Sequence, residues 1–164
     1  MKSWKTVTFI LITAMSSLVI GAEVTPMELR IMQSRLFEKT PAEVETAITE
    51  LCGDYDLLVM GSLTNKGMTC LQNGMPPDVK ASWAGEPIFP ENSIFMLQFR
   101  CAGKCVLENT KVAVRMRAQL FESGKNIAQS KYQPKTAGFY SPWFNAIAEY
   151  LFIEAIDWSP DIQY

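Results

Sequence analysis

An α+β fold, a single antiparallel sheet with two helices packed on one face, follows from three features of the sequence. Apolar residues recur at helical spacing after Thr40 and again after Ser141. Strand-like runs lie before the first helix and between the two, joined by turns or loops. The order that results is β-α-β-β-β-β-β-α, and placing both helices on one face buries both apolar stripes.

Each element has its own justification. "ELRIMQSRLF" (28–37) mixes apolar and polar residues as a half-buried strand does. Thr40-Pro41-Ala42-Glu43 is a capping box, with proline at the first helical position, where its missing N–H does no harm. Val44, Ala47, Ile48, Leu51, Cys52 and Tyr55 then form one apolar face, and Gly53 reads as the stop. Glu43, Glu45 and Glu50 lie off that stripe as a solvated face. "DLLVMGSL" reads as a buried strand, "TNKG" as a turn and "MTCLQ" as the hairpin partner. Residues 73–93 carry four prolines and read as a long irregular loop, with Trp83 and Phe89 as pins or contact residues. "SIFMLQFRC" suits a central strand. In "TKVAVRMRAQLF", Val112, Val114, Met116, Ala118 and Leu120 alternate with polar or small residues. "IAQSKYQ" can return as an edge strand, its Lys and Gln blunting the edge. The final helix is read with Ser141 as cap and Pro142 at the first position. One stripe (Phe144, Ile147, Ala148, Leu151, Ala155) faces the sheet. A second, Trp143, Tyr150 and Ile153, needs either the 73–93 loop or a partner protein to cover it.

The 164 residues suffice for one domain with a real core. Residues 1–22 have the order of a secretory signal peptide: Lys2 and Lys5, an apolar run from Val7 to Ile20, then Gly21-Ala22 with cleavage after Ala22. The alternative is an uncleaved anchor, but a bilayer span needs about 20 apolar residues. The expected mature chain, 23–164, is one periplasmic domain without a transmembrane span. It keeps 13 basic and 17 acidic residues, a formal charge of −4. Scattered bases and a net negative charge argue against nucleic acid, whose affinity rests on phosphate neutralisation.

Four cysteines, Cys52, Cys70, Cys101 and Cys105, read as two disulfides in an oxidising compartment. Of three connectivities, Cys52–Cys70 with Cys101–Cys105 is expected, because the glycine in "CAGKC" lets neighbouring sulfurs meet. Zinc is the competing use of four thiolates, but C-x17-C-x30-C-x3-C lacks paired knuckles. The chain has no histidine, which removes imidazole-based triads and metal sites. No phosphate loop is present. The methionines outside the signal segment form no tight cluster and read as core filler. No catalytic residue, cofactor or metal site is therefore expected. Arg115 and Arg117, with Arg30 or Arg35 if those strands pair, form either an anion-binding patch or a solvated sheet face.

Arg30, Gln33, Arg35 and Phe37 also spell an R-x-x-Q-x-R-x-F pattern. With the later "VAVRMR" strand and the closing "FYSPWFNAIAEYLF", the chain resembles small exported proteobacterial envelope proteins, many of them lipoproteins. The family is largely of unknown function, so the resemblance implies an envelope setting and an α+β fold. Two features depart from it: no cysteine follows the signal segment, and "CAGKC" suggests an added stapled hairpin. The functional expectation is a non-catalytic periplasmic accessory or assembly protein. It would dock on an envelope complex through Trp143, Tyr150 and Ile153 and the loop around Trp83 and Phe89. The alternative is a periplasmic protein that binds a small ligand or copper.

Overall fold

The structure, a computed structural model, describes residues 23–82, 92–124 and 131–157. The expected signal segment, Trp83 and Phe89 lie outside the described residues.

The described residues open with a helix where the sequence reading places a strand. Helix α1 spans Pro26–Met32, and β1 is confined to Ser34–Phe37. The reason is local. Thr25-Pro26-Met27-Glu28 repeats the chemistry of Thr40-Pro41-Ala42-Glu43. Thr25 Oγ accepts from the Glu28 N–H at 3.2 Å, and the Glu28 carboxylate accepts from the Thr25 N–H at 2.8 Å. At α2 (Pro41–Asp54) the same two bonds measure 3.3 and 2.9 Å. In both boxes the reciprocal bonds hold the Glu carboxylate below the usual carboxylate range.

Helix α2 buries Val44, Ala47, Ile48, Leu51 and Cys52, the expected stripe. It does not stop at Gly53. Asp56 takes the left-handed conformation (φ 56°), the Leu57 N–H bonds the Cys52 carbonyl at 2.9 Å, and the Asp56 N–H bonds the Gly53 carbonyl at 3.0 Å. This pair satisfies the last carbonyls, and Leu57 then enters the core.

A hairpin follows, β2 (Leu58–Ser62) and β3 (Gly67–Asn73). β2 is an edge strand and not the buried one expected: Leu58 and Met60 are 61% and 47% exposed. Glu45, far from being merely solvated, reaches from α2 to the turn. Its Oε2 accepts from Ser62 Oγ at 2.8 Å and from the Leu63 N–H at 2.9 Å. The stretch read as irregular loop holds a short helix, α3 (Pro77–Ser82), whose Val79 is buried.

Strands β4 (Ser93–Cys101) and β5 (Val112–Glu122) form the longest pair, and β6 (Lys131–Tyr132) pairs with the end of β5. Helix α4 spans Ala137–Tyr150, starting five residues before Pro142, so that Pro142 lies inside it and Ser141 is not its cap. It ends at Tyr150 because Phe152 is left-handed (φ 55°), with Phe152 and Ile153 donating back to Glu149 and Ala148. The chain beyond it forms β7 (Ile156–Asp157).

The strands make one antiparallel sheet in the order β2-β3-β4-β5-β1-β7, with β6 beside β5. The inward side chains of β4 (Phe95, Leu97, Phe99) and β5 (Val112, Val114, Met116, Ala118, Leu120) share a core with α2 and α4. Cys52 bonds Cys70, tying the last turn of α2 to β3, and Cys101 bonds Cys105 where β4 ends. These are the two disulfides predicted by the even cysteine count, so none of the four is a thiolate available to a metal.

Candidate functional site

The R-x-x-Q-x-R-x-F residues straddle the α1–β1 junction, and Gln33, Arg35 and Phe37 are structural there. Arg35 and Phe37 point to the helix-covered face, since Val114 and Val112 opposite them on β5 lie in the core. Gln33, two residues before Arg35, shares that side. Its Nε2 donates to the Tyr140 hydroxyl at 2.9 Å, and that hydroxyl donates to the Pro134 carbonyl at 2.9 Å. Burial pushes the Tyr140 phenol up, while the Gln33 bond pulls the other way. Phe37 packs on Phe144 with centroids 6.2 Å apart. Arg35 lies over the same ring at 5.3 Å, pairs Asp157 at 3.2 Å and donates to Ser141 Oγ at 3.3 Å. Arg35 therefore fastens α4 and β7 to the sheet.

This splits the expected arginine patch. Ser34 is the residue opposite Arg115, and Arg115 and Arg117 occupy the other face of the sheet. Arg35 does not join them. Arg30 does: its charge, after burial, lowers the Arg115 guanidinium, as does Arg117.

The expected docking stripe is also divided. Trp143 is buried (5% exposed), with its ring 4.8 Å from Tyr55 and 6.5 Å from Phe139. Among the described residues Tyr55 at the end of α2 packs on it and Val79 of α3 borders the same hollow, so it is core and not an exposed anchor. Tyr150 and Ile153 are half-buried against that core, and Ile153 lies beyond the helix.

What these residues build is a groove of about 670 Å³, lined by the last turns of α2 (Glu50, Leu51, Asp54, Tyr55) and α4 (Ala146, Glu149, Tyr150), by Asp78 of α3 and by Phe152. Leu51, Tyr55, Asp78 and Ala146 also border a smaller adjoining hollow of about 150 Å³, where Val79, Phe139 and Trp143 form an apolar floor. Four carboxylates line the larger groove, and no lysine or arginine does so among the described residues. The Tyr150 hydroxyl donates to the Asp54 carboxylate. That bond pushes its pKa up, and the nearby Asp54 and Glu50 charges add to the shift. Phe152 is 94% exposed at the rim. A bulky residue held left-handed is unusual, and here the helix ending presents its ring outward.

Sequence reasoning finds Tyr150 and misses Glu50, Asp54, Asp78, Glu149 and Phe152. Glu50 and Asp54 stand four apart on one helix face, as carboxylates on solvated helices commonly do. Only the approach of α4 makes theirs a groove wall.

Among the described residues no cluster of three or more Asp, Glu, Cys or His side chains has the arrangement of a metal site. No described helix is long and apolar enough to cross a membrane. The chain matches no family model, and neither a curated protein nor a solved structure matches it.

Proposed function

We propose that this chain is a non-catalytic, exported docking protein whose α2–α4 groove receives a Lys- or Arg-bearing segment of an envelope protein. The observation that carries the reading is the groove itself: carboxylates at Glu50, Asp54, Asp78 and Glu149 surround Tyr55, Tyr150 and Phe152. Among the described residues the groove carries charge of one sign, and with aromatic faces this suits cationic side chains, which gain both Coulomb and cation–π attraction there. The apolar hollow over Trp143 then suits a hydrophobic side chain next to the basic one. The two disulfides support an oxidising setting. The order of residues 1–22 and the resemblance to envelope proteins support export to the periplasm.

The test is site-specific photo-crosslinking from position 152 in the native host, with the crosslinked residue mapped on the partner. A crosslink into a Lys/Arg-rich segment, lost on Glu50→Lys with Glu149→Lys, supports the reading. A crosslink into an acidic segment, or one indifferent to charge reversal, overturns it.

A further inference from the structure

The sheet face turned away from α2 and α4 carries a second feature, independent of the groove. β4 and β5 set Arg100 directly opposite Arg115, and Gln98 directly opposite Arg117. Side chains facing each other across an antiparallel pair stand about 5 Å apart at Cβ, and like charges so placed repel. A sheet optimised for stability alone would alternate signs here. Arg100 and Arg117 are exposed, and among the described residues neither forms an ion pair.

Three details hold the cations in place. The Arg100 stem lies across Gly67 of β3: a Cβ built on Gly67 would meet Arg100 Cγ at 2.7 Å and the Phe99 carbonyl oxygen at 2.5 Å. Ser34 Oγ, itself donating to the Arg30 carbonyl at 2.8 Å, lies 3.4 Å from Arg115 Nε and accepts from it. The Cys101–Cys105 bond fixes the end of β4 immediately after Arg100. Gln98, Arg100, Cys101, Arg115 and Arg117 line a hollow of about 120 Å³. That is roughly four water volumes, room for one small oxyanion and little more. Guanidinium forks match the oxygens of such an ion in pairs.

We propose that this hollow binds a phosphate-class oxyanion, with Arg100, Arg115 and Arg117 as ligands, Gln98 as a further donor and Arg30 adding to the positive field. The ion is either free phosphate or the phosphate of an anionic lipid headgroup. Binding offsets the mutual repulsion of guanidiniums facing each other across the strand pair.

Thermal unfolding of the purified protein in inorganic phosphate, against chloride of equal ionic strength, tests this. Phosphate is expected to raise Tm by on the order of 10 °C at a hundredfold excess over Kd. Arg100→Gln and Arg117→Gln should each melt higher than the parent in chloride and lose the phosphate increment. Co-sedimentation with phosphatidylglycerol vesicles, phosphatidylcholine as control, identifies the source. Pelleting that inorganic phosphate competes away assigns the lipid headgroup, and a Tm increment without pelleting assigns free phosphate. The proposal is overturned if neither phosphate nor vesicles bind. It is overturned equally if both variants keep the parent's increment or melt lower than the parent in chloride.

Discussion

Gln33 and Tyr140, 107 positions apart, join through a 2.9 Å hydrogen bond inside the core, and the tyrosine hydroxyl donates its own proton to the Pro134 carbonyl. The bond connects the α1–β1 junction to the first turns of α4, and both partners are almost wholly buried. Tyr140→Phe leaves Gln33 and the Pro134 carbonyl unpaired, and should lower stability by about 2 kcal/mol. Urea unfolding measures this. The pH dependence follows from the raised phenol pKa. The folded state holds this proton more tightly than the unfolded chain does. Its contribution is complete below the unfolded value near 10, and is lost as pH rises through the higher folded value. The variant should therefore show a shallower alkaline decline, and an unchanged slope above about pH 10 would contradict the assignment.

Arg35 makes its contacts as a planar fork: one ion pair, bonds to Ser34, Ile31 and Ser141, and a ring face beneath it. Arg35→Ala should cost roughly 3 kcal/mol, and Arg35→Lys should recover less than half of that, because an ammonium cannot serve all these acceptors. Chemical denaturation of the pair of variants decides it.

The twin capping boxes separate local from global stability. Thr40→Ala should destabilise the whole fold by about 1 kcal/mol, since α2 carries core residues. Thr25→Ala should leave the global transition in place and only increase amide exchange in α1, which has no buried residue. In acid, the Glu43 contribution is present above the unfolded pKa near 4.5 and fades as pH falls through the lower folded value. Thr40→Ala should flatten that part of the acid limb.

At Phe152 the predictions for stability and for docking have opposite signs. A left-handed conformation is unfavourable for a residue with a Cβ and open to glycine. Phe152→Gly should raise stability by about 1 kcal/mol while weakening capture of a basic segment. Calorimetry and crosslinking read the two effects separately, and a loss of stability would mean that the ring packs on the fold.

The same residues explain what can be read from the chain alone. Helix α2 is legible because its box and apolar stripe are local, and β5 because its alternation is clean. The box at Thr25 is equally local, but the apolar residues after it mimic the mixed pattern of a strand. Pro142 looks like a first helical residue, which puts the expected start of α4 five residues late. Inside a helix it forfeits one bond, to the carbonyl of Gly138, which is an exposed residue. The groove and the arginine hollow escape for a different reason. Each depends on pairings between distant segments, and a slip of one residue in register sends every side chain to the opposite face. Sequence alone allows Arg35 to join Arg115, whereas Ser34 holds the position opposite Arg115.

The Cys52–Cys70 bond has a mechanical consequence. A chain pulled from its two ends transmits force through that bond and bypasses the segment between the cysteines, which stand 18 positions apart. On the order of 60 Å of contour stays hidden until the bond is reduced. Asp54 and Tyr55 lie inside this sealed stretch. A tug on anything gripped there reaches β3 through a covalent link, and α2 cannot be peeled away from the sheet at that point.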